Sequence, residues 1–248
     1  MGQVRLDTDN INLAYVKISL MLKKVNFLLS SFLPQKLYWY LAGLIHPWEA
    51  AIEEVNNPEL FYKQSKDLVK LLEKLQVIDK KTRVLDIGCG VGRLEYALAE
   101  KVGQCTGIDI SPSMVKLAKR HVKGENVKFL VTNGKDLEAV KNQKFDLVFS
   151  ILVFQHLPRE FFLKYLQEIN SVLKKEGKLL FQIPIYWKQK PEEPPKNHPW
   201  GLRFYSLKEL QESLERLNFS EIKFFDVGGG KLSEKENQAF VLAAKNKK

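Results

Sequence analysis

Val84-Leu85-Asp86-Ile87-Gly88-Cys89-Gly90-Val91-Gly92-Arg93 decides how this chain is read. The apolar run from Thr82 to Ile87 predicts a buried strand, the glycines a sharp turn, and the apolar positions from Leu94 onward a helix. Glycines at 88, 90 and 92 omit Cβ atoms where the backbone must turn and where a ligand can lie against it. Nucleotide-binding α/β proteins place such a turn at the carboxyl edge of the sheet. The spacing here is G-x-G-x-G, with an acid two residues before the first glycine. The dinucleotide fingerprint is G-x-G-x-x-G, opening onto a pyrophosphate. An acid at Asp86 repels phosphate and attracts a cation, so the turn suits a positively charged ligand.

Four more segments follow in order. Gly107-Ile108-Asp109-Ile110-Ser111-Pro112 is a strand ending in an acid, and a carboxylate there can accept two ribose hydroxyls. Phe129-Leu130-Val131-Thr132-Asn133-Gly134-Lys135-Asp136-Leu137 comes next, then Phe145-Asp146-Leu147-Val148-Phe149-Ser150 with Val153-Phe154-Gln155-His156-Leu157-Pro158 behind it. The last is Leu173-Lys174-Lys175-Glu176-Gly177-Lys178-Leu179-Leu180. Together the five resemble the class I S-adenosylmethionine-dependent methyltransferases, in their small-molecule branch, over about Phe61 to Lys245. The resemblance implies a Rossmann-like α/β fold: seven strands, mostly parallel, closed by an antiparallel C-terminal hairpin, with helices on both faces. It implies S-adenosylmethionine as cofactor and S-adenosylhomocysteine as product. Asp86, Gly88, Cys89, Gly90 and Gly92 would then form the turn around the methionine moiety. Asp109 would hold the ribose, and Ile110 would pack on the adenine. Asn133 and Gly134 would border the base, the Ser150 backbone would face the amino group, and Tyr62 would reach the methionine carboxylate. The plainer alternative is that Asp86 caps the turn, Asp109 caps the following helix, and Tyr62 is a core residue. Two departures stand out: Asn133 replaces the family's usual acid with a weaker acceptor, and Lys175-Glu176 replaces Pro-Gly in a turn.

Among the four histidines, His156 is the one placed to act as a base, behind the fourth strand and with an ordinary pKa of about 6.5. The alternative is a supporting role in the loop before Pro158. His198 is a weaker candidate, while His46 and His121 read as structural. The residues after Phe149 lack the Asn/Asp-Pro-Pro-aromatic run that aligns an exocyclic amine, which disfavours nucleobase N-methylation. Two cysteines, Cys89 and Cys105, give neither a metal spacing nor a disulfide framework, so no metal is expected and a reduced cytoplasmic setting is.

A net charge of +10 invites nucleic acid as a partner, but it comes from seven arginines and 32 scattered lysines. Lysine often serves as a solvating residue, whereas arginine supplies the fork that grips phosphates. Nucleic acid is therefore disfavoured, leaving a small-molecule or lipid-linked acceptor, most readily methylated at oxygen. The rival readings are a non-catalytic cofactor-binding scaffold and an RNA-directed methyltransferase.

Residues 1–57 read as an N-terminal helical extension and 58–248 as the cofactor-binding domain. Ile11 to Leu33 carries one broad apolar helical stripe, and Leu37 to Trp48 a second run rich in Trp and Tyr. Charges interrupt both before the roughly 18 apolar residues a spanning helix needs. Asp7 and Asp9 argue against a signal peptide, and Leu6 against myristoylation. Residues 11–48 are then either a lid over the cleft or a helix lying on a membrane surface. Helices are expected near 58–75, 91–102, 111–123, 158–174 and 206–217. Strands are expected near 82–87, 104–109, 127–131, 145–150, 178–184, 221–227 and 238–244. Tyr186 to Gly201, with four prolines, reads as a binding loop on the cofactor side.

Overall fold

In a computed structural model, residues 33–45, 47, 58–196 and 198–247 are described; the side chains of 58–64 are not among them. Among the described residues two helices come first, α1 (Gln35–Ile45) and α2 (Pro58–Lys74). Strands and helices then alternate: β1 (Arg83–Ile87), α3 (Arg93–Leu98), β2 (Gln104–Asp109), α4 (Pro112–His121), β3 (Val127–Val131), β4 (Phe145–Ser150), α5 (Arg159–Val172) and β5 (Leu173–Pro184). The chain ends with α6 (Leu207–Arg216), β6 (Phe219–Phe225) and β7 (Gln238–Lys245). Local chemistry sets several of these ends. Ser111 caps α4 by accepting from the Met114 N–H, with Pro112 in the first turn. Ser206 and Glu209 form a reciprocal capping box on α6.

The sheet order is β3-β2-β1-β4-β5-β7-β6. β1 to β5 are parallel, and β7 inserts antiparallel between β5 and β6. The expected mostly parallel sheet with an antiparallel end is the one observed. Strand order reverses at β1, which pairs with β2 on one side and β4 on the other, and open α/β sheets bind ligands at that crevice.

Alternation along each strand divides the core in two. Leu85, Ile87, Val148, Leu179 and Phe181 point into the layer with α5 and α6. Val84, Leu147, Phe149 and Leu180 point into the layer with α2 and α3. Asp86, two residues along from Val84, is therefore directed into the α3 side of the sheet, and it is buried there.

α1 packs on α4 rather than on the sheet. The Ser111 Oγ donates to the Trp39 carbonyl at 2.9 Å and the Ser113 Oγ to the Tyr40 carbonyl at 2.7 Å. A Cβ at Gly43 would stand 2.3 Å from the Ser113 Oγ, so the close approach of the two helices requires glycine there. The apolar stripe from Ile11 to Phe32, His46 and Trp48 lie outside the described residues.

Candidate active-site cleft

The carboxyl ends of β1, β2 and β4 open into a cleft of about 1120 Å³, counted out to its mouth. Its floor is the glycine turn. Gly88 and Cys89 both donate their N–H to the Ile108 carbonyl, at 2.8 and 3.1 Å, which ties the turn to β2. Gly88 has φ +84°, and a Cβ there would lie 2.2 Å from Val153 Cγ2. Strain and space both demand glycine at this position.

Asp109 lines the cleft from the end of β2. One of its oxygens accepts from the Gly90 N–H at 2.9 Å and the other from the Ser111 N–H at 2.8 Å. A carboxylate has about four acceptor sites, so roughly one on each oxygen remains for a ligand. Burial pushes its carboxyl up, and the backbone N–H donors of Ser111 and Gly90 pull it back.

Asp86 shares its side of the sheet with Glu95 on α3, and both are buried. The two carboxyls lie close enough to share a hydrogen bond when one of them is protonated. Burial raises the Glu95 carboxyl to about 7, and burial together with the Glu95 charge holds Asp86 well above the usual carboxylate range. Two carboxyls so placed hold a proton readily, and a cation arriving beside Asp86 favours its ionised form. The cleft's charge thus fits a ligand with an ammonium or sulfonium group. Arg93, also lining the cleft, is drawn to both carboxyls. The Cys89 and Cys105 thiols are pushed up by burial and remain protonated, which removes them as nucleophiles.

The opposite wall comes from α1 and from the 3₁₀ turn Phe154–His156. His156 is 8% exposed, and burial lowers its pKa to about 4, so the ring is neutral near pH 7. Its Nε2 lies 3.0 Å from the Gln155 side-chain amide. Trp39 stands beside it, ring centres 6.5 Å apart, and Trp200 from the proline-rich loop packs against both at 5.0 and 5.9 Å. The Trp200 Nε1–H donates to the Tyr38 hydroxyl.

The loop carrying Trp200 is held by one buried cation. The Arg203 guanidinium donates to the carbonyls of His156, Gly201, Pro195 and Lys196 at 2.8 to 3.3 Å. Its backbone N–H donates to the Gln155 carbonyl.

Residues 78–230 match the family described as "Methyltransferase domain", which is more than half the chain. This chain belongs to that family. It is 36% identical over 99 residues to a ubiquinone biosynthesis O-methyltransferase of Xanthomonas euvesicatoria pv. vesicatoria. That match spans 41% of the relative's length and 39% of this chain. Among solved structures, a magnesium protoporphyrin IX methyltransferase from Synechocystis with bound SAM superposes with a TM-score of 0.60 at 18% identity. The alignment covers 86% of this chain and 98% of that one. An S-adenosylmethionine-dependent methyltransferase from Clostridium acetobutylicum gives 0.58 at 16% identity, covering 80% and 95%. At these identities the two structures speak for the fold.

Within this methyltransferase-domain chain, Asp86, Gly88, Cys89, Gly90, Asp109, Ile110, Gly134 and His156 all line one cleft. Ile110 and Gly134 form a single wall: Gly134 has φ +71°, and a Cβ there would lie 2.5 Å from Ile110 Cδ1. Three expected residues are not among those lining the cleft. Gly92 does not line the cleft; its absent Cβ makes room for Val122 and Phe129, and its φ is +82°. The Asn133 side chain folds onto its own loop, accepting from the Lys135 and Asp136 N–H groups and donating to the Asp136 carboxylate. It is exposed, and Thr132 and Gly134 line the cleft on either side of it. The Ser150 hydroxyl donates to the Ile87 carbonyl at 2.9 Å, joining the ends of β4 and β1 behind the cleft. The Tyr62 side chain lies outside the described residues. His198 accepts from the Trp200 N–H within the loop.

Glu95, Trp39 and Arg203 were not singled out in the sequence. Glu95 is readable in retrospect, because it shares the inward face of α3 with Leu94 and Leu98. Trp39 and Arg203 carry no motif; the tertiary fold brings Trp39 to the cleft and Arg203 behind its wall, against the His156 carbonyl. Among the described residues there is no cluster of His, Cys, Asp or Glu that could hold a metal, and no helix long and apolar enough to cross a membrane.

Proposed function

We propose that this protein transfers a methyl group from S-adenosylmethionine to an oxygen of a small-molecule acceptor. One observation carries the reading. The cleft has acids on the glycine-turn side, Asp86 and Asp109, and a neutral histidine on the opposite wall. Bound across the turn, the cofactor supplies a methyl carbon activated by a sulfonium sulfur.

The residues divide the remaining work. Asp109 offers its free acceptor sites to ribose hydroxyls, and Ile110 with Gly134 flanks the base. Asp86 faces the methionine ammonium, whose charge favours release of the proton that burial and the Glu95 charge hold on Asp86. Gly88 lets the backbone come close without a side chain between ligand and turn. His156 receives the proton that leaves the acceptor hydroxyl as the oxygen–carbon bond forms and the carbon–sulfur bond breaks, its electron pair remaining on sulfur. Alignment of acceptor and methyl within a closed cleft does most of the rest. The name of the Xanthomonas relative, an O-methyltransferase, supports oxygen as the acceptor atom.

Titration calorimetry with S-adenosylhomocysteine and with NAD, followed by mass spectrometry of hydroxylated small molecules incubated with S-adenosylmethionine, tests this reading. Binding of the first ligand and methylation at oxygen are expected. Binding of NAD alone, or methylation only at nitrogen or carbon, would overturn it.

A further inference from the structure

The two ends of the cleft are built from different chemistry. Every charged residue that lines it, Asp86, Arg93 and Asp109, belongs to the glycine-turn side. The far wall is Trp39, Leu152, His156 and Leu157, and no Lys, Arg, Asp or Glu lines it among the described residues. In a chain with a net charge of +10, the described residues of this wall include no cation.

We propose that this wall is the acceptor subsite and that it takes an uncharged, planar aromatic ring bearing the hydroxyl to be methylated. The inference rests on the oxygen-methylation reading above. Three observations converge on it.

The first is shape. Trp39 and His156 stand 6.5 Å apart, and both pack on Trp200, which is itself hydrogen-bonded to Tyr38. Backed in this way the two rings keep their places, and fixed aromatic walls select flat, polarisable ligands through offset or edge-on ring contacts.

The second is charge. A phosphorylated or carboxylated acceptor would lose its hydration at this wall and gain no cation in return. An ammonium-bearing acceptor would find no carboxylate there. The ring it receives is therefore neutral.

The third is acidity. The buried, weakly basic His156 can assist only a hydroxyl that already ionises readily. A phenol, with a pKa of about 10, meets that condition far better than a hydroxyl close to the roughly 15.7 of water. The step balances simply: the aryl oxygen gains the methyl, its proton passes through His156 to solvent, and the sulfonium becomes a thioether.

The test uses the full chain saturated with S-adenosylhomocysteine. Calorimetry measures binding of catechol and naphthol, of cyclohexanediol as the saturated counterpart, and of protocatechuate as the anionic one. Catechol and naphthol are expected to bind about tenfold more tightly than cyclohexanediol, and catechol more tightly than protocatechuate. Trp39→Leu should abolish the aromatic advantage and Trp39→Phe should keep most of it, with S-adenosylhomocysteine affinity within about twofold of the parent in both. Equal binding of saturated and aromatic diols, preference for the anion, or an aromatic advantage that survives Trp39→Leu would each overturn the proposal. Methyl transfer is scored separately. Aromatic binding that depends on Trp39 without methylation at oxygen upholds the subsite and removes oxygen as the acceptor atom. Methylation of cyclohexanediol that is indifferent to Trp39 removes the subsite and leaves the oxygen reading in place.

Discussion

Glu95 shows how much a single buried group can govern. Its carboxyl, raised to about 7 from an ordinary value near 4.5, holds a proton in the folded chain across a range where the unfolded chain has released it. Stability is then gained at low pH and falls as pH rises through that window. Glu95→Gln keeps the shape and removes the titration, so its melting temperature should fall less between pH 5 and pH 8 than the parent's. A fall as steep as the parent's would contradict the assignment. Asp109 makes a second prediction. Asp109→Ala leaves two backbone N–H groups without their acceptor and removes the proposed ribose contact. A loss of cofactor affinity of about tenfold or more is expected by calorimetry, together with a lower melting temperature; unchanged affinity would remove the ribose role. His156 makes a third. With its pKa near 4, the acid limb of kcat/KM for the acceptor should lie well below pH 6, rather than near the ordinary histidine value. A limb at 6.5 would point to another base. These residues differ in how legible they were. Asp86 and Asp109 lie at the carboxyl ends of strands that the apolar runs announce, so their place at the cleft was readable. Asn133 turns its side chain onto its own loop, since an amide beside a glycine satisfies that loop as readily as it meets a ligand, and sequence alone does not separate the two.

At the scale of elements, the strands β1, β2 and β4 fall where their apolar runs end, because burial on both faces leaves little choice of boundary. Helices were less sharply defined. The helix expected near 91–102 is confined to Arg93–Leu98, since left-handed Gly92 delays its start and a turn follows Ala99. β5 begins earlier than expected, at Leu173, which pairs with Phe145; the ladder with β4 is irregular from there to Lys178, where Glu176 takes a positive φ. The proline-rich loop was legible as a loop on the correct side, but its fixed form was not. That form depends on Arg203, whose partner carbonyls reach back as far as His156, 47 residues earlier in the sequence. Arg203→Met should leave those carbonyls without donors, lowering stability by about 2–4 kcal/mol and speeding proteolysis within 186–202. Denaturant melts and timed digestion check both. A loop that stays protected in the variant would show that the prolines alone hold it.

For the whole molecule, the question is what the N-terminal helical extension does. α1 reaches the cleft through Gln35 and Trp39, which favours the lid over a helix detached from the domain. Its other side leaves Leu37, Tyr40, Leu44 and Ile45 exposed, Leu44 by 59%. Such a row would also suit the acyl boundary of a membrane, with lysine-rich surroundings drawn to anionic lipid. The two roles separate experimentally because they use opposite faces of one helix. Flotation of the full chain with anionic vesicles, alongside a Leu37→Glu, Leu44→Glu variant, probes the outer face; a chain beginning at Asn57 probes the inner one. We expect the lid to dominate. The shortened chain should still bind S-adenosylhomocysteine, because Asp86, Asp109 and the glycine turn remain, yet lose methyl transfer and expose the apolar surface of α4 around Met114. Excluding water from the cleft is what the lost helix would have contributed. The outer-face variant should then retain full activity on a soluble acceptor. If instead the full chain floats, the glutamate variant does not, and the shortened chain methylates a soluble acceptor at the parent rate, α1 serves the membrane and the lid assignment fails.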